Sequence, residues 1–185
     1  MKFRNISKVH QGKFITRYNI EYETENGRIK TYEMISRNPQ LQTFEQLRNN
    51  KTDAVVMIIH DKSGEKLLLN REFRMATGEW IYNFPAGLVD EGESYFEAAR
   101  RELREETGLN LLQIDEIWKE SYSAVGFSNE KTIVLVGTAE GEILPSDSEL
   151  EEIEASWYTK EELKKILEEG NFAARTQTYC IMWSR

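Results

Sequence analysis

The sequence predicts an α+β protein in which helices flank a mixed β-sheet, preceded by a small antiparallel β unit. Residues 13–36 alternate apolar and polar side chains around Glu25-Asn26-Gly27, a pattern typical of a β-hairpin. Further along, strand-like segments occur in pairs with helix-like segments between them, as expected for a sheet covered by helices. We therefore predict a β unit over residues 1–45 and a main domain over residues 46–185.

The elements of the main domain follow from local composition. Two apolar runs, DAVVMIIHD and EKLLLNREF, flank a turn at Lys62-Ser63-Gly64 and predict paired strands. The next stretch predicts a loop region, because it is punctuated by Gly78, Pro85 and Gly87. Residues 93–107 contain no helix breaker and are followed by Gly108, so we predict a helix that ends there.

The last third of the chain predicts three more strands and two helices. The strands are IDEIWKESYSAV, EKTIVLVGTAEG and EASWYT. The first helix is TKEELKKILEEG, with Thr159 as its N-cap and Gly170 as its C-cap. The second helix covers about residues 172–183. Together these elements supply the helices that a sheet of this size needs on its faces.

Composition and charge limit the class of protein. The 185 residues include 32 acidic and 24 basic side chains, for a net charge of −8 at pH 7. A nucleic-acid groove binder needs clustered Lys and Arg, so this balance argues against one. No stretch approaches the ~20 apolar residues of a membrane helix, and the N-terminus lacks an apolar signal-peptide core. We expect a cytoplasmic protein that binds neither nucleic acid nor membrane, and Cys180, the only cysteine, excludes an internal disulfide.

The stretch GLVDEGESYFEAARRELREETGL carries the strongest chemical signal. On a helix, Glu102, Glu105 and Glu106 lie three and four residues apart and share one face. A solvated acidic face is the simplest interpretation, but it does not explain why the acids cluster beside a glycine loop. Mg²⁺ and Mn²⁺ prefer several oxygen ligands, which converging carboxylates supply. Arg101, four residues before Glu105, either orients these acids or forms an ordinary surface ion pair.

This stretch resembles the Nudix box of hydrolases that cleave nucleoside diphosphates linked to another moiety. The matching positions are Gly87, Glu93, Arg101-Glu102-Leu103, Glu105-Glu106 and Gly108-Leu109. The resemblance implies a Nudix-type α/β/α sandwich and hydrolase activity dependent on Mg²⁺, with Mn²⁺ as a substitute. It also implies a metal site built from Glu102, Glu105, Glu106 and the carbonyl of Ala86.

The wider sequence resembles the ADP-ribose and nucleotide-sugar pyrophosphatase branch, in LLLNREFR, EWIYNFPAGLVDEGE and VGFSNEKT. That resemblance implies a homodimer joined through the N-terminal β unit, with a nucleotide sugar as substrate. It implies substrate contacts from Arg74 and Arg37 and an adenine stacked between Phe14 and Tyr32. Strand aromatics also pack in cores, so the stacking role stays one of two interpretations.

A general base must lie outside the helix, where a carboxylate can take a proton from a metal-bound water. The branch places its candidate base in the loop SDSELEEIEASWYT, which implies Glu149 or Glu151, with a slight preference for Glu151. A solvated acidic loop is the competing interpretation for each of them. If neither serves, Glu105 in the box is the remaining candidate base.

Two positions depart from the branch pattern. Val125 stands where ADP-ribose-preferring members often have proline, and Asn83 stands where a glutamate is common. Both weaken the ADP-ribose assignment but leave the box intact. The alternatives are therefore a Nudix pyrophosphatase for another nucleotide sugar or a dinucleoside polyphosphate, and a non-catalytic nucleotide-sugar sensor that uses the fold for binding alone.

Overall fold

The computed structural model describes residues 1–148 and 150–185. The chain forms two compact units. The first unit comprises Met1–Ala54 and Glu120–Thr132, and the second comprises Val55–Lys119 and Ile133–Arg185. The boundary predicted at residue 45 divides the chain by the function of each part. A division into compact units does not test that, so the boundary stays a prediction.

The first unit contains a three-stranded antiparallel sheet in the order β1-β2-β3, built from Lys2–Gln11, Thr16–Glu23 and Ile29–Ser36. Strands β2 and β3 form the predicted hairpin. Its turn needs Gly27, whose φ of 73° lies in the left-handed region that favours glycine. The side chain of Tyr18, on β2, is fully buried, and its hydroxyl donates a 2.8 Å hydrogen bond to the carbonyl of Asn38. The sequence pattern does not predict strand β1 as a separate element.

The larger sheet has seven strands in the described residues, with the order β10-β5-β4-β9-β8 and with β6 paired to β5 and β7 to β4. The strands are β4 (Ala54–His60), β5 (Lys66–Arg74), β6 (Glu79–Asn83), β7 (Ala86–Leu88), β8 (Asn110–Tyr122), β9 (Lys131–Glu140) and β10 (Ile153–Thr159). The loop predicted between residues 78 and 87 is therefore wrong in part. Pairing with β5 holds β6 extended between its glycine and proline neighbours, with Glu79 opposite Arg74 and Asn83 opposite Asn70.

Three α-helices complete the described residues: α1 (Tyr95–Thr107), α2 (Lys160–Glu169) and α3 (Ala174–Trp183). Helix α1 begins two residues later than predicted because Ser94 forms a capping box with Glu97. It ends as predicted at Gly108, whose φ is 75°. Thr159 and Gly170 cap α2 as predicted.

Alternation along β4 explains why the second unit has three layers. Val55, Met57 and Ile59 pack in one core cluster with Ala98, Ala99 and Leu103 of α1. The intervening residues Val56 and Ile58 pack in a second cluster with Leu163 of α2 and Cys180 of α3. Successive strand residues point to opposite faces, so α1 covers one face of the sheet and the other two helices cover the opposite face. In the part of the chain that the structure describes, no helix is long and apolar enough to span a membrane.

Candidate active site

Helix α1 places its three predicted metal-binding carboxylates in different environments. Glu106 is 7% exposed, the Glu102 side chain is 16% exposed and the Glu105 side chain is 49% exposed. The gradient follows from the helix period, because Ala99 and Leu103 dock α1 on the sheet and the neighbouring face turns gradually to solvent. Of these three acids, Glu106 is therefore buried, Glu102 is half-buried and Glu105 is exposed.

Glu106 lies against two other elements of the second unit. Its Oε2 accepts a 2.9 Å hydrogen bond from the side chain of Asn70 on β5 and a 3.2 Å bond from the backbone N–H of Ala86. Burial raises the pKa of Glu106 well above its usual range, and the nearby carboxylates of Glu102 and Glu72 raise it further. A cation placed here would relieve both the burial cost and the repulsion.

Glu102 rests directly on Gly87. A Cβ atom added at Gly87 would lie 1.8–2.3 Å from the carboxylate atoms of Glu102, so no larger residue leaves room for that carboxylate. Arg101 donates a 2.8 Å hydrogen bond to its Oε1. Burial raises the pKa of Glu102, and Glu105 and Glu151 act in the same direction. Gly87 therefore leaves free the space that the carboxylate of Glu102 occupies.

We expect Gly87→Ala to reduce turnover by about tenfold or more while leaving the fold intact, since the added methyl displaces only the end of a flexible side chain. Activity and thermal unfolding measured together test this. Gly126→Ala is the matched control, because an added Cβ at Gly126 meets nothing within 4 Å. Full activity in Gly87→Ala would contradict the seating of Glu102 on this glycine.

Arg101 joins the acids of the box. It donates to both oxygens of Glu93 at 2.9 and 3.0 Å, to Glu102 at 2.8 Å and to Glu105 at 3.3 Å. It also donates a 3.0 Å hydrogen bond to the backbone carbonyl of Leu88. The hydrogen bond to Glu93 is the largest of the causes that raise the pKa of Arg101. This network, with Arg101 only 30% exposed, goes beyond the isolated surface pair that the sequence left open.

Glu72 on β5 is the site residue that sequence reasoning missed. It is 7% exposed, accepts a 2.9 Å hydrogen bond from the side chain of Asn83, and lies 3.6 Å from Arg74. Asn83 brings no acid of its own to the site, and its side-chain amide instead holds the carboxylate of Glu72. A signal existed: Asn70 and Glu72 alternate on one face of a strand whose neighbours are apolar, and polar residues at such positions are exceptional.

A cleft of about 350 Å³ lies beside this cluster, lined by Glu72, Phe73, Arg74, Met75, Ala76, Leu150, Glu151, Glu152 and Ile153. It brings two predicted residues together, Arg74 and the candidate base Glu151. The acidic loop before β10 is tied to α1, because the backbone N–H of Asp147 donates a 2.9 Å hydrogen bond to the carbonyl of Glu105. Glu149, the other candidate base, lies outside the described residues.

The chemistry of these donors fits a hard divalent cation. Among the described residues, no three His, Cys, Asp or Glu side chains converge into a preformed cage. Burial nevertheless raises the pKa of both Glu102 and Glu106, the charge of Glu102 raises the pKa of Glu106 further, and oxygen donors of this kind suit Mg²⁺ or Mn²⁺. The roles of Ala86, Glu102, Glu105 and Glu106 as ligands stay predictions.

The other predicted substrate contacts lie in the first unit. Phe14 is 66% exposed in the turn between β1 and β2. Tyr32, on β3, donates its hydroxyl to the carbonyl of Gly126 and lines an apolar cavity of about 380 Å³ together with Val125. Arg37 forms an ion pair with Glu130 at 2.5 Å. Of these described residues, Phe14 is not among those lining the cavity, and the stacking role stays a prediction for both aromatics.

Comparison with known proteins decides the family. A family model described as the NUDIX domain matches residues 50–177. The chain belongs to the NUDIX family. This confirms the interpretation of residues 87–109 as a Nudix box, and the protein is a Nudix hydrolase.

Curated relatives give the range of similarity. The ADP compounds hydrolase NudE of Escherichia coli (strain K12) is 29% identical over 143 residues, which cover 77% of this chain and 69% of NudE. Nudix hydrolase 19, chloroplastic, of Arabidopsis thaliana is 32% identical over 127 residues, covering 67% of this chain and 28% of that protein. An uncharacterized Nudix hydrolase of Schizosaccharomyces pombe is 37% identical over 89 residues, covering 48% and 41%. The chain thus spans less than half the length of the latter two.

A solved structure confirms the predicted fold class. The crystal structure of an ADP compounds hydrolase matches 99% of this Nudix chain and 92% of its own, with a TM-score of 0.71 and 22% sequence identity. The shared architecture is a mixed sheet with helices on its faces, together with the small antiparallel sheet at the N-terminus. At this identity the match shows the fold alone.

Proposed function

We propose that the protein hydrolyses the pyrophosphate of a nucleoside diphosphate sugar, with ADP-ribose as the preferred substrate and AMP and ribose 5-phosphate as products. The observation that supports this most is the pair of carboxylates with raised pKa, the buried Glu106 and the half-buried Glu102, together with the cleft that Arg74 and Glu151 line. Buried acids of like charge are costly unless a cation compensates them. The name of NudE, an ADP compounds hydrolase, agrees with an ADP-linked substrate.

Each residue has a part in the proposed reaction. Glu102, Glu105, Glu106 and the carbonyl of Ala86 would hold Mg²⁺, or Mn²⁺ in its place. When bound, the metal would offset the phosphate charge and would lower the pKa of a water molecule to near physiological pH. The hydrogen bond from Arg101 would hold Glu102 in position. The guanidinium of Arg74 would bind a phosphate oxygen, which orients the substrate.

Glu151 is proposed as the general base. It lines the cleft with Arg74, and it is close enough to Glu102 to raise the pKa of that group. A carboxylate in this position would accept the proton that the attacking water loses. Glu149 is the alternative base in the same loop, and Glu105 is the remaining candidate if neither loop residue serves.

The first unit is proposed to recognise the rest of the substrate. Phe14 and Tyr32 would stack on the adenine. Arg37 would contact the substrate, either while it keeps its ion pair with Glu130 or after that pair has opened. The proposed functional unit over residues 1–45 would thus supply both base recognition and dimer contacts. Val125, which is 76% exposed, lines the same cavity as Tyr32.

A hydrolysis screen tests the substrate assignment. Initial rates with Mg²⁺ would be compared for ADP-ribose, ADP-glucose, GDP-mannose, UDP-glucose and a dinucleoside polyphosphate. We expect ADP-ribose to give the highest kcat/KM. A clear preference for another compound would replace the ADP-ribose assignment by that substrate, since fold alone does not determine specificity.

We also expect a homodimer. Large apolar side chains remain exposed on the small β unit, at Val9, Phe14, Ile15 and Ile29. A small sheet with an uncovered apolar surface gains stability when a second subunit covers it. Sedimentation velocity at roughly micromolar concentration checks this, and we expect twice the mass of one chain. A monomer would contradict the dimer and a base site shared between subunits.

A further inference from the structure

The strongest unassigned feature of the second unit is the buried carboxylate of Glu72. It lines the same cleft as Arg74 and Glu151. Only 7% of Glu72 is exposed, and a carboxylate this buried needs partners that justify its place. Its partners are Asn83 at 2.9 Å and the guanidinium of Arg74 at 3.6 Å, both directed at Oε1.

A chain of hydrogen bonds holds Glu72 from the opposite side of the sheet. The backbone N–H of Phe84 donates to the hydroxyl of Thr176 on α3 at 3.3 Å, and that hydroxyl donates to Oδ1 of Asn83 at 2.9 Å. The amide nitrogen of Asn83 then donates to Glu72. Thr176 is fully buried, so this chain is protected from competition by water.

The direction of this chain is determined by its last acceptor. A carboxylate only accepts hydrogen bonds, so Asn83 must present its NH₂ to Glu72 and its carbonyl to Thr176, which removes the usual ambiguity of an amide orientation. The Thr176 hydroxyl therefore donates its one proton to Asn83 and accepts from Phe84. Glu72 receives a donor from one side and the Arg74 cation from the other.

We propose that Glu72 is a positioning residue that directs the guanidinium of Arg74 into the cleft, and that Thr176 and Asn83 hold Glu72 in the required orientation. Arg74 is more than half exposed and ends a strand, so without a fixed partner its long side chain would sample many rotamers. An arginine held in one orientation binds a phosphate oxygen with less loss of entropy. The inference rests on the proposed function for the role of Arg74 as a phosphate ligand.

The primary test is equilibrium binding of ADP-ribose in EDTA, where no metal-dependent turnover occurs, measured by titration calorimetry. We expect Glu72→Gln to weaken binding by about tenfold and Thr176→Val to weaken it by a smaller factor. Thr176→Ser keeps the hydroxyl and should bind as the parent does. Glu154→Gln is the matched control, because it removes a carboxylate from the exposed pair with Arg71 on the same strand pair.

A double-mutant cycle tells whether Glu72 acts through Arg74. In an Arg74→Ala background, Glu72→Gln should cause almost no further loss of binding, because the residue it positions is gone. An equal loss with and without Arg74 would overturn the proposal, as would unchanged binding in Glu72→Gln. Equal loss in the Thr176→Ser and Thr176→Val variants would show that the hydroxyl has no such part and would overturn the chain. Thermal unfolding of each variant separates misfolding from lost binding.

An observation independent of nucleotide binding separates this inference from the proposed function. The side-chain Nε–H signal of Arg74 would be assigned in a ¹⁵N spectrum by its absence from Arg74→Lys. We expect this signal to shift in Glu72→Gln and Thr176→Val and to stay in place in Glu154→Gln. If the parent protein neither binds nor hydrolyses ADP-ribose, the proposed function fails, and the Arg74 signal alone decides: an unshifted signal in Glu72→Gln overturns the positioning role.

Discussion

Glu106→Gln should lower kcat by at least about 100-fold while the protein still folds. Gln keeps an oxygen that can accept the hydrogen bonds from Asn70 and Ala86, so the shape of the site is preserved. What is lost is the negative charge, at the position where the proposed metal must bind. Steady-state kinetics at saturating Mg²⁺ measures the effect, and Glu168→Gln, an exposed acid on α2, is the matched control.

Stability should move in the opposite direction from activity. Burial raises the pKa of Glu106, so the folded protein binds this proton more tightly than the unfolded chain does. The charged carboxylate therefore lowers stability as the pH rises from the unfolded pKa toward the folded one, and this cost persists above it. In EDTA at neutral or higher pH, we expect Glu106→Gln to unfold at the same or a higher temperature. Near-normal turnover in Glu106→Gln would sink the metal-binding role.

The second large effect is expected at Glu151. Glu151→Gln should lower kcat at least about 100-fold and leave KM nearly unchanged, because a base acts in the chemical step and contributes little to ground-state binding. The residue lines the cleft with Arg74 and influences Glu102, as a base beside the metal site should. Complete kcat and KM values, with Mg²⁺ saturating, check the expected split.

Glu152→Gln provides the control for this prediction, since its backbone carbonyl pairs with Phe73 and no catalytic part is assigned to its side chain. Glu149→Gln tests the alternative candidate that sequence reasoning left open. If Glu149, Glu151 and Glu152 variants all turn over within a few-fold of the parent, the base lies outside this loop, with Glu105 next in line. The metal site would stand, and the loop assignment would be wrong.

Local patterns made much of this fold predictable. Helix α1 could be placed within two residues because its breaker-free span, its acidic face and Gly108 are all local signals. The hairpin around Gly27 follows from turn chemistry in the same way. The Nudix box could be identified because its spacing lies within one continuous stretch of chain.

Tertiary features could not be found this way. Gly78 and Pro85 dominate the local signal and predict a loop, while the pairing of β6 with β5 depends on residues of another strand. Glu72 was overlooked because its place in the site depends on α1 packing against β5, which brings it near Glu106. The need for glycine at position 87 depends on the three-dimensional structure, because Glu102 occupies the space that a Cβ atom at this position would fill.

Metal-dependent cleavage of ADP-ribose tests the central claim most directly. Purified protein would be incubated with ADP-ribose and Mg²⁺, and the products separated and identified, with EDTA in a parallel reaction. We expect AMP and ribose 5-phosphate in equal amounts with Mg²⁺, and neither in EDTA. Binding of ADP-ribose without any turnover, with Mg²⁺ or Mn²⁺ present, would contradict a pyrophosphatase and indicate a nucleotide-sugar sensor instead.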